Sequence, residues 1–279
     1  ALPKGAAPGG FGGGGRTLAA TIRGCGSSAG VPRIGNDWGR CDPAEPKNRR
    51  MRCSLLVERR GEGGVTRLLI DTTPDLRAQM LAANVAHVDG VWYSHSHADH
   101  CHGIDDLRGF YLNGRRRIPV WADAHTSRIL KERFGYCFAT PAGSSYPPIL
   151  DHHLLHPGER LALAGAGGDI HGMPFVLSHG DIDALGFRFG TMAYTPDVND
   201  VPEASLEHLE GLDLWIIDAL KRGRHPSHFS LEESLRWIER LRPRRAILTN
   251  MHIDMDYATL SRELPPHIRP AYDGMVIPF

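Results

Sequence analysis

The chain has 279 residues, of which 32 are basic and 32 acidic, so its formal net charge is zero. Balanced charge argues against a dedicated nucleic-acid surface and against electrostatic attraction to a membrane. No apolar run reaches the roughly 18–20 residues of a membrane span, and the five cysteines include no Cys-x-x-Cys pair. We therefore expect a cytoplasmic protein whose thiols are reduced.

The first 16 residues are rich in glycine and proline, and we expect a flexible lead-in at 1–16 followed by a single domain at 17–279. Strands are predicted at 18–23, 53–58, 66–70, 88–93, 118–121, 175–178, 186–189, 192–195, 214–217 and 246–249. Helices are predicted at 75–83, 100–110, 125–134, around 206, at 231–241 and at 257–264. Residues 135–160 are predicted to form a covering loop. This order of elements predicts two packed sheets with helices outside.

The segment from His95 to His100 has the sequence His-Ser-His-Ala-Asp-His and directly follows a predicted strand. Imidazoles two residues apart on an extended segment point to the same side, so His95 and His97 can bind one metal ion. Asp99 and His100, in the turn beyond, can reach a second ion beside it. The segment therefore predicts a metal site at the end of this strand.

Further polar residues follow the ends of later predicted strands. His179, Asp197 and His252 each come shortly after one of these strands, and His225 and His228 follow another across a basic turn. In a two-sheet sandwich these strand ends meet at one edge. Together with the 95–100 segment they supply enough ligands for two ions, and Asp197 is able to bridge them.

This series of residues resembles the metal-ligand series of the metallo-β-lactamase superfamily. The resemblance implies an α+β fold, the αββα sandwich of two mixed sheets flanked by helices, in agreement with the predicted elements. It implies that one ion is held by His95, His97 and His179, the other by Asp99, His100 and His252, and that Asp197 bridges both. Relatives often carry Thr-His where this chain has Thr-Asn at 249–250. His252 is the expected last ligand because it lies two residues on, on the same strand face, and Asn250 is the alternative.

Two segments resemble a phosphodiesterase branch of the superfamily. The small-residue loop at 24–32, which contains Ser27, is similar to the glycine loop of RNase Z and of PhnP-like phosphoribosyl cyclic phosphate phosphodiesterases. Residues 225–230 resemble the segment that carries a non-ligand catalytic histidine in those enzymes. Common β-lactamases use cysteine at the bridging position, where this chain has Asp197. RNase Z adds a long arm, which residues 180–196 are too few to form, so the PhnP-like branch is favoured.

The resemblance implies a hydrolase with two divalent ions, zinc or manganese, whose bridging hydroxide attacks a small, possibly cyclic, phosphodiester or nucleotide. His228 is the candidate general acid or phosphate donor, and Asp99 is assigned to catalysis as well as to the metal. His225, His228 and Ser27 are the expected substrate contacts, and Asp71 and Asp218 are candidates to orient imidazoles. A homodimer is a further implication of the resemblance. A thioester or lactone hydrolase, an RNase Z-like nuclease and a nucleotide-binding module are the alternatives.

Overall fold

The computed structural model describes residues 17–279, so the expected lead-in at 1–16 lies outside the described residues. The strands of this range are β1 (Thr17–Gly24), β2 (Ser54–Gly61), β3 (Gly64–Ile70), β4 (Gly90–Trp92), β5 (Ile118–Ala122), β6 (Leu150–Leu154), β7 (Leu161–Leu163), β8 (Ile170–His179), β9 (Ile182–Phe189), β10 (Met192–Thr195), β11 (Leu214–Asp218), β12 (Arg245–Thr249), β13 (Ile268–Pro270) and β14 (Val276–Pro278). The α-helices are α1 (Leu76–Ala83), α2 (Ala98–Cys101), α3 (Leu107–Gly114), α4 (Ala124–Phe138), α5 (Leu231–Leu241) and α6 (Tyr257–Glu263). None of these helices combines the length and the apolar character that a bilayer crossing requires.

The strands form two mixed sheets of seven strands each. The first sheet has the order β14-β1-β2-β3-β4-β5-β6, and the second has the order β13-β12-β11-β10-β9-β8-β7. Helices α1, α3 and α4 contribute apolar side chains to a core on the outer face of the first sheet. On the second sheet, α5 and α6 bury Leu231, Ile238 and Leu260. The expected αββα sandwich is thereby confirmed.

Strands β2 and β3 are buried on both faces. Leu55 and Val57 of β2 join the core between the two sheets, whereas Leu56 joins the core beneath the helices. In β3, Ile70 joins the core between the two sheets and Leu69 joins the core beneath the helices. Successive side chains of a strand point to opposite faces, so a strand packed on both sides must be apolar at nearly every position.

Parallel pairing brings the carboxyl ends of several strands to one edge of the sandwich. Strands β3 and β4 are parallel, with Ile70 opposite Trp92. Strands β10, β11 and β12 are also parallel, with Thr195 opposite Ile217 and Asp218 opposite Thr249. Residues that follow these strand ends therefore emerge side by side, as at the ligand-binding edge of other parallel sheets.

Three predicted elements differ from the structure. The helix predicted around 206 is a 3₁₀ helix, Glu203–Leu209. The helix predicted at 100–110 is divided between α2 and α3. Gly103 lies between them and packs so closely on Thr73 that a Cβ would lie 1.9 Å from the Thr73 carbonyl oxygen. The loop predicted at 135–160 is wrong, since α4 continues to Phe138 and β6 pairs with β5 within this segment. β6 was not predicted because its sequence Asp-His-His lacks an apolar strand pattern. These polar side chains reach solvent, since β6 lies at a sheet edge.

Residues far along the chain anchor the loop after β1. The carboxylate of Asp273 accepts the backbone N–H groups of Cys25 at 3.1 Å and of Met51 at 2.7 Å. A Cβ at Gly24 would lie 1.9 Å from the carbonyl oxygen of Arg52, so only glycine allows this approach. Strand β14 pairs antiparallel with β1. The loop at 24–32 is thus fixed from both sides.

Candidate metal centre and its partners

Three imidazoles and one carboxylate form a compact group at the carboxyl edge of the sandwich. His95, His97, His179 and Asp197 each offer one ligand atom, and these four atoms all lie within 4.8 Å of one another. Nε2 of His179 is 3.1 Å from Nδ1 of His97 and 3.4 Å from Oδ2 of Asp197. Nε2 of His95 is 3.7 Å from the same carboxylate oxygen. Such a donor set suits a divalent metal ion of the zinc type.

A second group lies on the other oxygen of Asp197. Nε2 of His100 is 3.0 Å from Oδ1 of Asp197 and 3.6 Å from Oδ2 of Asp99. Asp197 thus faces His100 with one oxygen and His95 and His179 with the other. The bridging position expected for Asp197 is compatible with this arrangement.

Asp71 orients the residues of both groups from beneath. It directly follows β3 and is fully buried, and its backbone is left-handed with φ +65°. Oδ1 accepts the backbone N–H of Ser94, while Oδ2 accepts the Ser94 hydroxyl and Nδ1–H of His100, at 2.7, 2.7 and 2.8 Å. The Ser94 hydroxyl lies 3.0 Å from Nδ1 of His95. Asp71 therefore fixes the ring of His100 directly and reaches His95 through Ser94. The sequence analysis did not identify Ser94 as a residue of the site.

His228 and Asp218 form a hydrogen-bonded pair beside the cluster. Nδ1 of His228 donates to Oδ2 of Asp218 at 2.7 Å, and Nε2 lies 3.8 Å from Oδ2 of Asp197. Asp218 ends β11 and is fully buried, and Oδ2 also accepts the backbone N–H of Val198. The His228 ring is packed against His179, with centroids 4.7 Å apart. Only its outer edge reaches solvent.

Burial and charge set the protonation of these side chains. Burial lowers the pKa of His95, His97 and His179, which keeps their imidazoles neutral as metal ligation requires. For His100, the opposing effect of burial is outweighed by the carboxylates of Asp197, Asp99 and Asp71, which raise its pKa well above the ordinary value. A cation is therefore favoured at this point of the cluster.

The His228 and Asp218 pair is also strongly perturbed. Burial alone would lower the pKa of His228, but the neighbouring Asp218 raises it to about 9. Burial raises the pKa of Asp218 itself. The two side chains share one proton. We place that proton on His228, because the Asp218 carboxylate accepts two hydrogen bonds.

His252, the expected last ligand, contacts other side chains in the structure, and its role as a ligand stays a prediction. Its ring contacts the guanidinium of Arg33 through Nε2 and Oδ1 of Asp254 through Nδ1, the latter at 3.2 Å. The physical reason lies at the end of β12. The strand stops at Thr249, and Asn250 adopts a left-handed backbone with φ +59°, so strand alternation does not continue to residue 252.

Asn250, the alternative, is the residue that reaches Asp197. Its side chain is buried, and Nδ2 donates to the carbonyl of Pro196 at 3.0 Å and to Oδ1 of Asp197 at 3.1 Å. Nδ2 also lies 3.4 Å from Nδ1 of His228. Asn250 therefore occupies the corner of the site that the sequence interpretation gave to His252.

The remaining predicted residues lie at different distances from the cluster. His225 stands next to His228, with ring centroids 5.2 Å apart, and contacts the Ser227 hydroxyl at 3.2 Å. Ser27 is buried, and its backbone N–H donates to the carbonyl of Met251, so it braces the chain just after Asn250. Arg33, close behind the small-residue loop, was missed. The signal for it was a basic residue directly following Pro32.

Each of the two groups contains a buried imidazole nitrogen that fits a metal ligand. Nε2 of His95 and Nε2 of His100 are buried and have no hydrogen-bond partner among the described residues. Asp197 lies 3.0 Å from the latter but outside hydrogen-bonding geometry. Buried polar atoms are rarely left unpaired, so these two nitrogens point to ligands that the protein itself does not supply.

Comparisons with known proteins agree with this geometry. The family profile described as "Beta-lactamase superfamily domain" matches residues 66–253. A solved structure described as a diphosphatase from the PhnP family is 35% identical, with a TM-score of 0.83 over 94% of this chain and 97% of that chain. The short form of human tRNase Z is 16% identical with a TM-score of 0.63 over 93% of this chain and 98% of that chain, a likeness of fold alone.

The octanoyltransferase of Porphyromonas gingivalis (strain ATCC BAA-308 / W83) is 32% identical over 261 residues, which are 91% of this chain and 50% of that protein. The chain thus spans about half the length of this curated relative. The profile match establishes that the chain belongs to the β-lactamase superfamily. With the sandwich and the His/Asp cluster, it is a metal-dependent hydrolase of the metallo-β-lactamase fold. Within that class it is PhnP-like, as the resemblance implied.

Proposed function

We propose that the chain hydrolyses small phosphodiesters, including cyclic phosphates and nucleotides. The observation that carries the proposal is the pair of His228 and Asp218 beside the metal-competent cluster, with Nε2 of His228 on the side of Asp197. The likeness to a diphosphatase of the PhnP family supports it. A metal ion held by His95, His97, His179 and Asp197 would supply Lewis acidity toward a phosphoryl oxygen and lower the pKa of bound water.

His228 is placed to act as a proton donor. Asp218 accepts its Nδ1–H, which fixes the ring and leaves Nε2 for the substrate. The raised pKa of His228 keeps the imidazole protonated at neutral pH, so it can donate to a phosphoryl oxygen or to the leaving group. We keep Asp99, which lies on the His100 side of the cluster, as a proposed ligand and catalytic carboxylate.

A basic rim next to His228 favours anionic substrates. This rim consists of the cations Arg33 and Lys221 and of the imidazoles of His225 and His252. After burial, Arg33 and Lys221 are among the causes that lower the pKa of His252, and Lys221 is among those that lower the pKa of His225, so the positive charge of the rim comes from Arg33 and Lys221. We propose that the rim receives a second negative group of the substrate, as on a nucleotide or a diphosphate.

The dimensions of the site favour a small substrate over tRNA. A cavity of about 390 Å³ opens beside His225 and His228. Between His179 and Asp197 the chain forms β9 and β10 within the second sheet, and no segment projects there as a separate arm. These features support a small phosphorylated compound as the substrate and make an RNase Z-like nuclease the weaker alternative.

The test is hydrolysis of bis(p-nitrophenyl) phosphate by protein that has been stripped with a chelator and reloaded with zinc or manganese. We expect turnover to return with metal, to disappear in Asp197→Ala and to fall about 10²–10⁴-fold in His228→Ala. His87→Ala is the control that keeps full activity, because His87 contacts Arg67 and precedes β4, at the opposite end of that strand from His95. Absence of turnover in fully metallated wild-type protein would refute the proposal.

Thioester hydrolysis is the second candidate, because the curated relative is named an octanoyltransferase and that name implies transfer of an acyl group. The same metal-competent cluster can polarise a thioester carbonyl. Assaying an octanoyl thioester in parallel separates the two. Turnover of the thioester with none of the phosphodiester would favour this second candidate.

A further inference from the structure

Asp197 lies between two candidate metal positions that offer different numbers of ligands. Oδ2 faces the position formed by His95, His97 and His179. Oδ1 faces the position that contains His100 and Asn250. The family resemblance implies an ion at each position, so the donors available at each can be compared.

The first position is complete. It offers three imidazoles and a carboxylate oxygen within 4.8 Å of one another, which is the number of ligands that a tetrahedral ion needs.

The second position is incomplete. It offers Nε2 of His100, Oδ2 of Asp99 and Oδ1 of Asp197, and its remaining neighbour from β12 is Asn250. His252, the other residue that the sequence placed here, is bound to Arg33 and Asp254 instead. Among the described residues, the position therefore has one imidazole where the first has three.

The amide of Asn250 is turned the wrong way to bind a cation. Its NH₂ group faces two acceptors, the carbonyl of Pro196 and Oδ1 of Asp197, so the hydrogen-bond network fixes nitrogen rather than oxygen toward the site. Turning Oδ1 toward an ion would break both hydrogen bonds in a buried setting, which costs free energy. Asn250 thus competes with an ion for Asp197.

We propose that this protein binds one ion tightly at the first position and a second ion weakly and exchangeably at the position of His100, and that Asn250 is the residue responsible. The proposal concerns metal occupancy and does not depend on the proposed substrate. Loss of a supporting group around a metal costs about 10–100-fold in affinity. We expect the missing ligand to separate the two dissociation constants by at least about 100-fold.

The test counts bound ions and needs no substrate. Wild-type protein is stripped, reloaded with excess zinc, desalted, and its zinc measured per chain by inductively coupled plasma mass spectrometry. Isothermal titration with zinc gives both dissociation constants. We expect one retained ion per chain and a second, weaker binding step in the titration. Asn250→His, which supplies an imidazole at a backbone conformation that histidine tolerates, is expected to retain two.

Two variants guard against misinterpretation. His95→Ala is expected to lose the retained ion, which assigns it to the first position, whereas His252→Ala is expected to retain one ion as wild type does. Retention of two equally tight ions by wild-type protein would overturn the proposal, even if Asn250→His fails to fold. A drop in bound metal in His252→Ala would overturn it as well, since His252 would then be a ligand after all.

Discussion

Replacing Asp71 with asparagine tests how strongly the buried carboxylate beneath the cluster supports metal binding. In the wild-type protein its Oδ2 accepts Nδ1–H of His100 at 2.8 Å and the Ser94 hydroxyl at 2.7 Å. Asparagine keeps one oxygen for the backbone N–H of Ser94 but turns an NH₂ group toward His100. Two donors then face each other in a fully buried site.

The expected loss of metal affinity follows from these two donors facing each other. Nε2 of His100 remains a metal donor only while Nδ1 carries the proton, and Asp71 is the acceptor that holds this tautomer. We expect affinity for the ion beside His100 to fall about 10–100-fold, which corresponds to about 1.4–2.7 kcal/mol. The ion held by His95, His97 and His179 should lose less, because Asp71 reaches His95 only through Ser94.

The assay is competition with a chromogenic chelator at pH 7.5, followed by metal analysis. Asp273→Asn is the matched control, since Asp273 is also a buried carboxylate that accepts backbone N–H groups but lies at the loop after β1. Unchanged affinity for both ions in Asp71→Asn, or an equal loss in Asp273→Asn, would refute the reasoning.

Three further perturbations have defined outcomes. Asp218→Asn should lower kcat about 100-fold or more with unchanged bound metal, because His228 loses the buried negative charge that raises its pKa and stabilises its protonated form. Steady-state kinetics with metal analysis checks this, and full activity would contradict it. Asp256→Asn should lower the free energy of unfolding by about 1–2 kcal/mol at pH 7, because asparagine can still cap α6 through Oδ1 but replaces the Oδ2 that accepts from Asn48 and from the backbone N–H of Asp42. The hydrogen bonds that Asp256 accepts lower its folded-state pKa to about 2, against the opposing effect of burial. Its contribution to the free energy of unfolding is therefore present above pH 4 and disappears as pH falls toward 2. Denaturation of both proteins at each pH checks this, and a stability difference that does not change with pH would contradict it. Gly172→Ala should lower the free energy of unfolding by about 1–3 kcal/mol in the same assay, because the new Cβ would lie 2.5 Å from the Trp92 ring. Unchanged stability would show that the ring moves aside.

Most of the cluster could be predicted because its residues follow strands whose ends are fixed by pairing. The segment from His95 leaves β4, His179 ends β8 and Asp197 leaves β10. The apolar runs before these residues predict the strands, and parallel pairing then brings the ends together. Order along the chain was therefore enough to find these ligand candidates.

Which of residues 250 and 252 faces Asp197 could not be predicted, because the answer depends on one backbone angle. The interpretation that residues 250 and 252 share a strand face assumes that β12 continues, whereas the chain turns at Asn250 with φ +59°. Asparagine tolerates that conformation, but its presence does not require it. Strand β6 was missed for a different reason, since a polar edge strand lacks the apolar pattern that marks a buried one.

The anchoring of the loop after β1 has a consequence for how the polypeptide acquires its structure during synthesis. Cys25 and Met51 are synthesised more than 200 residues before Asp273, whose carboxylate accepts their backbone N–H groups, and β1 is likewise made long before its partner β14 at 276–278. At about 5–20 residues per second, the intervening stretch takes on the order of 10–50 s to make. Throughout that interval β1 is an unpaired edge, so a nascent chain stalled before residue 273 should recruit chaperones, whereas one released after 278 should not.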